Sequence, residues 1–145
     1  MQVNPKITFF VPDFENPMET SFISSEIKAG FPSPAADFEE SKVSLDHLLV
    51  KNKEATFYAK ASGNSMVGAG IDDGDILVID RSLEPRNNAV AVCFIDGEFT
   101  VKRIKKTDEF VFLMPENPNY APIQIEPHNE LIIWGIVTYV IKQIK

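Results

Sequence analysis

The sequence predicts one mainly β domain, a curved and mostly antiparallel sheet or small barrel, with an extended N-terminal arm and one short helix. The chain has 145 residues, which is the size of one compact domain with a substantial core. Its 10 prolines and 7 glycines indicate many turns and few long helices. After residue 50, short runs of β-branched and aromatic residues alternate with Gly, Pro, Asn and Asp, which is typical of strands joined by short turns.

The first segment, residues 1–40, is predicted to be the N-terminal arm, and residues 41–145 to be the folded body. Prolines interrupt the arm repeatedly, and its apolar residues follow no sustained period. These apolar residues are too numerous for a solvated tail, so we expect the arm to pack against the body or against a second subunit. They are Phe9, Phe10, Val11, Phe14, Phe22 and Ile23.

A short helix is predicted at 44–50, where Ser44 could cap the first turn and three leucines share one face. Strands are predicted at 55–61, 75–80, 89–95, 98–105, 109–114, 122–125 and 130–141. Between two of these strands, Asp96 and Gly97 are suited to a two-residue type I′ turn, which predicts a hairpin.

Composition excludes several classes of protein. The net charge of −7 argues against a broad basic surface, so we expect no direct specific binding to DNA and no membrane binding. The single cysteine, Cys93, excludes an internal disulfide and a cysteine-based zinc cluster. No secretory signal and no apolar run of roughly 18 residues is present, so we expect a cytoplasmic protein.

The sequence also lacks the motifs of common cofactors. There is no phosphate-binding P-loop, and the glycines at 68, 70 and 74 miss the dinucleotide spacing. The acidic residues Asp72, Asp73 and Asp75 do not follow the calcium-loop pattern and are interpreted as turn residues. We therefore predict no cofactor and no metal site.

Three other reactive side chains are interpreted as non-catalytic, the two histidines as solvated or structural and the cysteine as a packing residue. His47 lies in the predicted helix and His128 in a loop rich in Pro and Asn, and neither is near a recognisable nucleophile motif. Cys93 lies inside an apolar strand, where burial should raise the pKa of its thiol and favour packing over nucleophilic chemistry.

Ser65 is the remaining candidate nucleophile, because it follows a strand in a glycine-containing turn that could present its hydroxyl beside backbone N–H groups. Without a histidine, the proton acceptor would have to be a neutral lysine. Lys102 has suitable surroundings, since it lies mid-strand with Thr100 and Ile104 on its face. Keeping it neutral at pH 7 costs about 4 to 5 kcal/mol, and burial can lower a lysine pKa by about the required 3 to 5 units.

From these residues alone, a non-catalytic role for Ser65 and Lys102 stays open beside the catalytic one. A serine after Gly-Asn is usually a turn residue, and a strand lysine is usually an exposed charge.

Four ordered motifs carry a resemblance to a known family. They are AGFPSPAAD at 29–37, SGNSM at 62–66, GIDDGD at 70–75 and DGEFTVK at 96–102. In this combination the chain resembles the UmuD branch of the LexA/UmuD family of self-cleaving serine peptidases, from about residue 28 to the C-terminus. The preceding residues are too few for the winged helix-turn-helix domain of the LexA-type repressors, so we expect the UmuD branch.

The resemblance implies a role for four residues. Ser65 would be the nucleophile, Lys102 the general base, and the bond between Ala29 and Gly30 the bond that is cleaved. UmuD often has Cys before this Gly, and Ala is usual in the repressors. Asn64 stands where Asp is common.

The resemblance also implies partners and a process. Cleavage would be stimulated by a RecA filament on single-stranded DNA during the SOS response to DNA damage. The trimmed homodimer would then be the accessory subunit of an error-prone translesion polymerase, bound to a Y-family catalytic subunit.

Alternative functions differ in class. The chain could be a non-cleaving interaction subunit that regulates a polymerase or filament. A fragment of a LexA-type repressor is disfavoured because no DNA-binding domain is visible, and a signal-peptidase-like enzyme because no membrane anchor is visible.

Overall fold

The computed structural model describes residues 8–23 and 40–144. The chain divides into two compact units. The first consists of Met1–Pro12 together with Asn52–Lys145, and the second is Asp13–Lys51.

The first unit contains one eight-stranded antiparallel sheet. Its strands in chain order are β1 (Phe9–Phe10), β4 (Thr56–Lys60), β5 (Ile76–Asp80), β6 (Val90–Ile95), β7 (Glu98–Lys106), β8 (Val111–Met114), β9 (Ile123–Gln124) and β10 (Leu131–Ile141). Across the sheet they follow the order β1-β4-β5-β10-β6-β7-β8-β9. The predicted class, a mostly antiparallel β fold, is confirmed, and each of the seven strands predicted after residue 50 is present with ends shifted by one or two residues.

The long strand β10 joins two parts of the sheet. Its first half pairs with β6 and its second half with β5, and the pairing register shifts between Ile133 and Gly135 and again between Val137 and Tyr139. Such irregularities bend a strand and increase its twist, so they account for the curvature expected from the sequence.

The predicted hairpin between β6 and β7 is confirmed. Ile95 pairs with Glu98, and the two turn residues, Asp96 and Gly97, both have positive φ, of 47° and 86°. A type I′ turn requires this conformation at both central positions. The hairpin fixes the register that brings Lys102 opposite Ala91.

Apolar residues cover both faces of the sheet. Along β6, Val92 belongs to one core cluster with Leu77 and Ile79, whereas Ala91 and Cys93 belong to a second cluster. Successive residues of a strand point to opposite faces, so a strand buried on both sides is continuously apolar. This explains the sequence AVAVCFI at 89–95.

Strand β1 packs an aromatic side chain into the first unit. Phe9 and Phe10 pair with Ala59 and Tyr58 of β4, and the Phe9 ring lies 4.2 Å from the Trp134 ring and 5.2 Å from the Phe99 ring between centroids. Large aromatic residues such as Phe31, Phe38 and Trp134 are expected in the core or at an interface, and Trp134 is half-buried and packs against the first core cluster.

The second unit contains β2 (Glu19–Ile23), β3 (Glu40–Ser44) and the helix α1 (Leu45–Leu49). The two strands form an antiparallel pair in which Glu19 lies opposite Ser44. The helix is where the sequence predicts it, but Ser44 makes no side-chain cap hydrogen bond. Ser44 is only 4% exposed, because it is also the last residue of β3.

The sequence predicted no strands within the arm, and the structure places β1 and β2 there. The sequence also predicted no strand at 40–44, where β3 lies. Strand β1 has only two residues, and β2 and β3 are rich in polar residues, so none of them shows the apolar run that marks the later strands. Phe31 and Phe38 lie outside the described residues.

In the described part of the chain, no helix has the length and hydropathy needed to span a bilayer.

The burial of two leucines in the first unit predicts different losses of stability when each is replaced by alanine. Leu77 is fully buried in β5, whereas Leu83 is 42% exposed. Leu77→Ala should lower the free energy of unfolding by about 2–5 kcal/mol, because it leaves a cavity, and Leu83→Ala should change it by less than about 1 kcal/mol. Urea denaturation followed by circular dichroism measures both values, and similar losses would contradict this packing.

Candidate active site

Ser65 lies in the turn that follows β4. The chain passes Gly63, whose φ of 91° favours glycine, and whose N–H donates to Asp73 Oδ1 at 2.9 Å. After Ser65, the side chain of Met66 is 3% exposed and packs in the first core cluster. The turn is therefore anchored on both sides of the serine.

Lys102 lies in β7 on the face that also carries Thr100 and Ile104, and it is 8% exposed. Its position follows from the strand period of two and from the hairpin register. Few lysines are so deeply buried without an acidic partner. No carboxylate among the described residues forms an ion pair with it.

The structure brings these two residues together. Lys102 Nζ lies 2.9 Å from Ser65 Oγ, 2.6 Å from Thr100 Oγ1 and 3.1 Å from the Val101 carbonyl oxygen. A neutral amine has two N–H donors and one lone pair. It can therefore donate to Thr100 and Val101 while its lone pair accepts the Ser65 hydroxyl proton.

Burial lowers the pKa of the Lys102 amine below its ordinary value, and the nearby Cys93 opposes part of this shift. Burial disfavours the charged form of an amine, since the ammonium loses its hydration. The neutral form, which alone can accept a proton, is therefore favoured at lower pH than in an exposed lysine.

Two backbone N–H groups lie beside the Ser65 hydroxyl. Among the described residues, the N–H groups of Ser65 and Met66 donate to no protein acceptor. Free N–H groups at such a position can stabilise a developing oxyanion. The hydroxyl, the amine and these donors together can support acyl transfer.

The side chains interpreted as non-catalytic have the expected surroundings. Cys93 is fully buried, and burial raises the pKa of its thiol to about 11. The ring of His47 stacks on that of Phe14 in the second unit, and His128 is exposed in a loop of the first.

The acidic loop after Ser65 also has the predicted turn role. The Asp72 N–H donates to Asp75 Oδ2 at 2.8 Å, and Lys142 binds both carboxylates. Burial would raise the pKa of Asp75, but hydrogen bonds from Lys142 and from the Asp72 N–H outweigh it and lower that pKa. Within residues 8–23 and 40–144, no three His, Cys, Asp or Glu side chains are arranged to hold a metal ion.

The chain is similar in sequence to a known peptidase family and to several known proteins. A match to the peptidase S24-like family spans residues 21–138. The chain is 41% identical over 119 residues to Protein MucA of Salmonella typhimurium, which covers 81% of each chain. It is 38% identical over 120 residues to Protein ImpA of the same organism, which covers 79% of this chain and 77% of ImpA.

The chain belongs to the LexA/UmuD family of S24-like peptidases. It is also 33% identical over 105 residues to LexA repressor 1 of Geobacter sulfurreducens, covering 72% of this chain and 51% of the repressor. Membership in the LexA/UmuD family places the protein among serine peptidases.

The site has contacts that the sequence analysis did not anticipate. Glu116 and Asn117, in the loop after β8, contact the backbone around Ser65. Their only local signal is a pair of flanking prolines, which marks a loop without indicating what it touches. Ala29 and Gly30 lie outside the described residues.

Replacing the buried amine should change how stability depends on pH. Below the lowered pKa of Lys102, wild type carries the cost of a buried ammonium, so Lys102→Met should be the more stable protein. Between the lowered pKa and the ordinary value of about 10.4, the unfolded chain binds more protons than the folded one. In this interval the free energy of unfolding of wild type should therefore rise, relative to that of the variant, by about 1.4 kcal/mol per pH unit.

Urea unfolding across this pH range measures the difference between the two proteins. Lys105→Met replaces an exposed lysine of the same strand and serves as the control. A difference between wild type and Lys102→Met that does not vary with pH would contradict a lowered pKa.

Proposed function

We propose that this protein is a UmuD-like serine endopeptidase that cleaves its own chain between Ala29 and Gly30. The observation that carries the proposal is the 2.9 Å contact between Ser65 Oγ and the buried Lys102 amine. Family membership and the four sequence motifs support it.

In the first half of the reaction, neutral Lys102 takes the proton of the Ser65 hydroxyl as Oγ attacks the carbonyl carbon of Ala29. The carbonyl oxygen becomes an oxyanion beside the N–H groups of Ser65 and Met66. When the tetrahedral intermediate collapses, the bond to the Gly30 nitrogen breaks. Lys102 then gives its proton to the leaving amine, and an ester joins Ala29 to Ser65.

In the second half, Lys102 takes a proton from water, and the resulting hydroxide attacks the ester carbon. Collapse releases Ala29 as a carboxylic acid, which ionises to solvent, and Lys102 returns its proton to the departing Ser65 Oγ. Lys102 thus ends neutral, and the net reaction consumes one water. Small residues at Ala29 and Gly30 suit this chemistry, because the chain can approach Ser65 with little steric cost.

A partner would control the rate by changing how often the cleavage segment occupies the site. The family resemblance supports a RecA filament on single-stranded DNA as that partner, acting in the cytoplasm during the SOS response. The net charge of −7 fits a protein that leaves DNA contact to the filament.

The trimmed protein would act as a homodimer, and as the accessory subunit of a Y-family translesion polymerase. Removal of the first 29 residues would detach β1, whose Phe9 ring packs on Trp134. Apolar surface would then become available to a new partner.

Alkaline incubation of the purified protein tests the cleavage proposal. Raising the pH deprotonates Lys102, so the rate should rise about tenfold per pH unit below its lowered pKa and then level off. Mass spectrometry should detect one fragment that ends at Ala29 and one that begins at Gly30.

Variants separate the proposed dyad from other causes of cleavage. Ser65→Ala and Lys102→Ala should each abolish both fragments, whereas Ser62→Ala and Lys105→Ala, which replace exposed neighbours, should not. Intact chains after long incubation at about pH 10, with and without an activated filament, would favour the non-cleaving interaction subunit instead.

The filament proposal has its own measurement. At neutral pH, adding a RecA filament with single-stranded DNA and a nucleotide should raise the cleavage rate at least about tenfold, because occupancy of the site limits the reaction. Single-stranded DNA alone is the control. Equal cleavage rates with the filament and with single-stranded DNA alone would contradict stimulation by the filament.

A further inference from the structure

The loop that follows β8 holds the backbone on both sides of Ser65. The Asn117 Nδ2 group donates to the Asn64 carbonyl oxygen at 2.8 Å, and the Glu116 N–H donates to the Ser65 carbonyl oxygen at 2.7 Å. In return, the Gly68 N–H donates to the Glu116 carbonyl oxygen at 2.7 Å. Three hydrogen bonds therefore join two loops that are remote in the sequence.

These bonds orient two N–H groups, and at the Asn64 carbonyl oxygen the 2.8 Å bond from Asn117 is shorter than the 3.4 Å bond from the Val67 N–H. A peptide group is planar and trans, so its C=O and its N–H point in opposite directions. The Asn64 carbonyl shares its plane with the Ser65 N–H, and the Ser65 carbonyl shares its plane with the Met66 N–H. Fixing the two carbonyls therefore orients the two N–H groups, and each hydrogen bond also polarises the peptide that accepts it.

The amide of Asn117 is itself held in one orientation. Its Oδ1 accepts the Asn119 N–H at 2.9 Å, so Nδ2 is the atom that faces the Asn64 carbonyl. An acid of the same shape would place an oxygen against that carbonyl. The site therefore distinguishes an amide from a carboxylate at this position.

The same loop is tied to the strand of the candidate base. Arg103 Nε lies 2.5 Å from Glu116 Oε1, and an Arg103 terminal nitrogen donates to the Asn88 carbonyl oxygen at 2.7 Å. Lys102 and Arg103 are neighbours in β7. The strand therefore positions the candidate base directly, and through Arg103 and Glu116 it also positions the backbone of Ser65. A Cβ at Gly68 would lie 2.6 Å from the Glu116 carbonyl oxygen, so glycine permits this close approach.

We propose that Asn117 is a positioning residue for acyl transfer, which orients the Ser65 N–H toward the oxyanion while the Glu116 N–H orients that of Met66. The catalytic role inferred for Asn117 rests on the proposed self-cleavage. Asn117 moves no proton and touches no reacting atom. Its effect is on the two donors that stabilise the negative charge when Ser65 Oγ bonds the substrate carbonyl carbon.

Cleavage rates of the full chain across the alkaline range test the proposal. Removing a direct oxyanion donor lowers a rate by about 100- to 1000-fold. Asn117→Ala keeps the Ser65 N–H but misorients it, so it should lower the cleavage rate by about tenfold. Asn117→Asp should be at least as slow, since it keeps the size of the side chain and loses the donor. The control Asn119→Ala keeps the backbone N–H that Asn117 accepts and should stay within about twofold of wild type.

The pH profile distinguishes positioning from damage to the dyad. The midpoint for Asn117→Ala should equal that of wild type, because the contacts of Lys102 are retained. A rate equal to that of Asn119→Ala, or a shifted midpoint, would overturn the proposal.

Amide NMR tests the orientation without cleavage. In the intact full chain at neutral pH, Asn117→Ala and Asn117→Asp should shift the Ser65 and Met66 N–H resonances, whereas Asn119→Ala should leave them in place. Unchanged resonances in both Asn117 variants would overturn the proposal. If the resonances move but wild type never cleaves, the proposed self-cleavage fails while the orientation of these groups by Asn117 stands.

Discussion

The hydrogen bond between the Lys102 amine and the Ser65 hydroxyl is the contact on which the site depends. It joins residues 37 positions apart, at a point where the lysine is only 8% exposed and forms no ion pair within the described part of the chain. Such burial penalises the ammonium and favours the free amine. The surrounding acceptors, Thr100 and Val101, match the two N–H donors of that amine.

The scaffold supplies this environment through strand β7. Its hairpin with β6 places Lys102 opposite Ala91 and near Cys93, where the second core cluster excludes water. On the other side of the site, the serine lies in the turn after β4, and the loop after β8 binds the backbone around it. The Asp73 carboxylate accepts the Gly63 N–H, and the loop after β8 forms hydrogen bonds with the backbone around Ser65, which gives a local rigidity that loops usually lack.

Prediction from the sequence succeeded where the signal was local. Seven strands after residue 50 were found because apolar runs and turn residues alternate there, and the Asp96-Gly97 hairpin was found because few residues tolerate positive φ. The prediction missed β1, β2 and β3, because β1 has only two residues and the other two strands are rich in polar residues. Ser44 occupies the predicted N-cap position of α1, but its side chain makes no cap hydrogen bond.

The sequence by itself determined the fold class and the family resemblance, and through that resemblance it offered Ser65 and Lys102 as the candidate nucleophile and base. Short-range patterns and ordered motifs are properties of the chain that need no coordinates. Only the tertiary structure decided that Lys102 is buried beside Ser65, and that Glu116 and Asn117 hold the serine backbone. The bond from Asn117 to Asn64 spans 53 positions. Contacts of this length arise from strand order and loop packing, which no local pattern encodes.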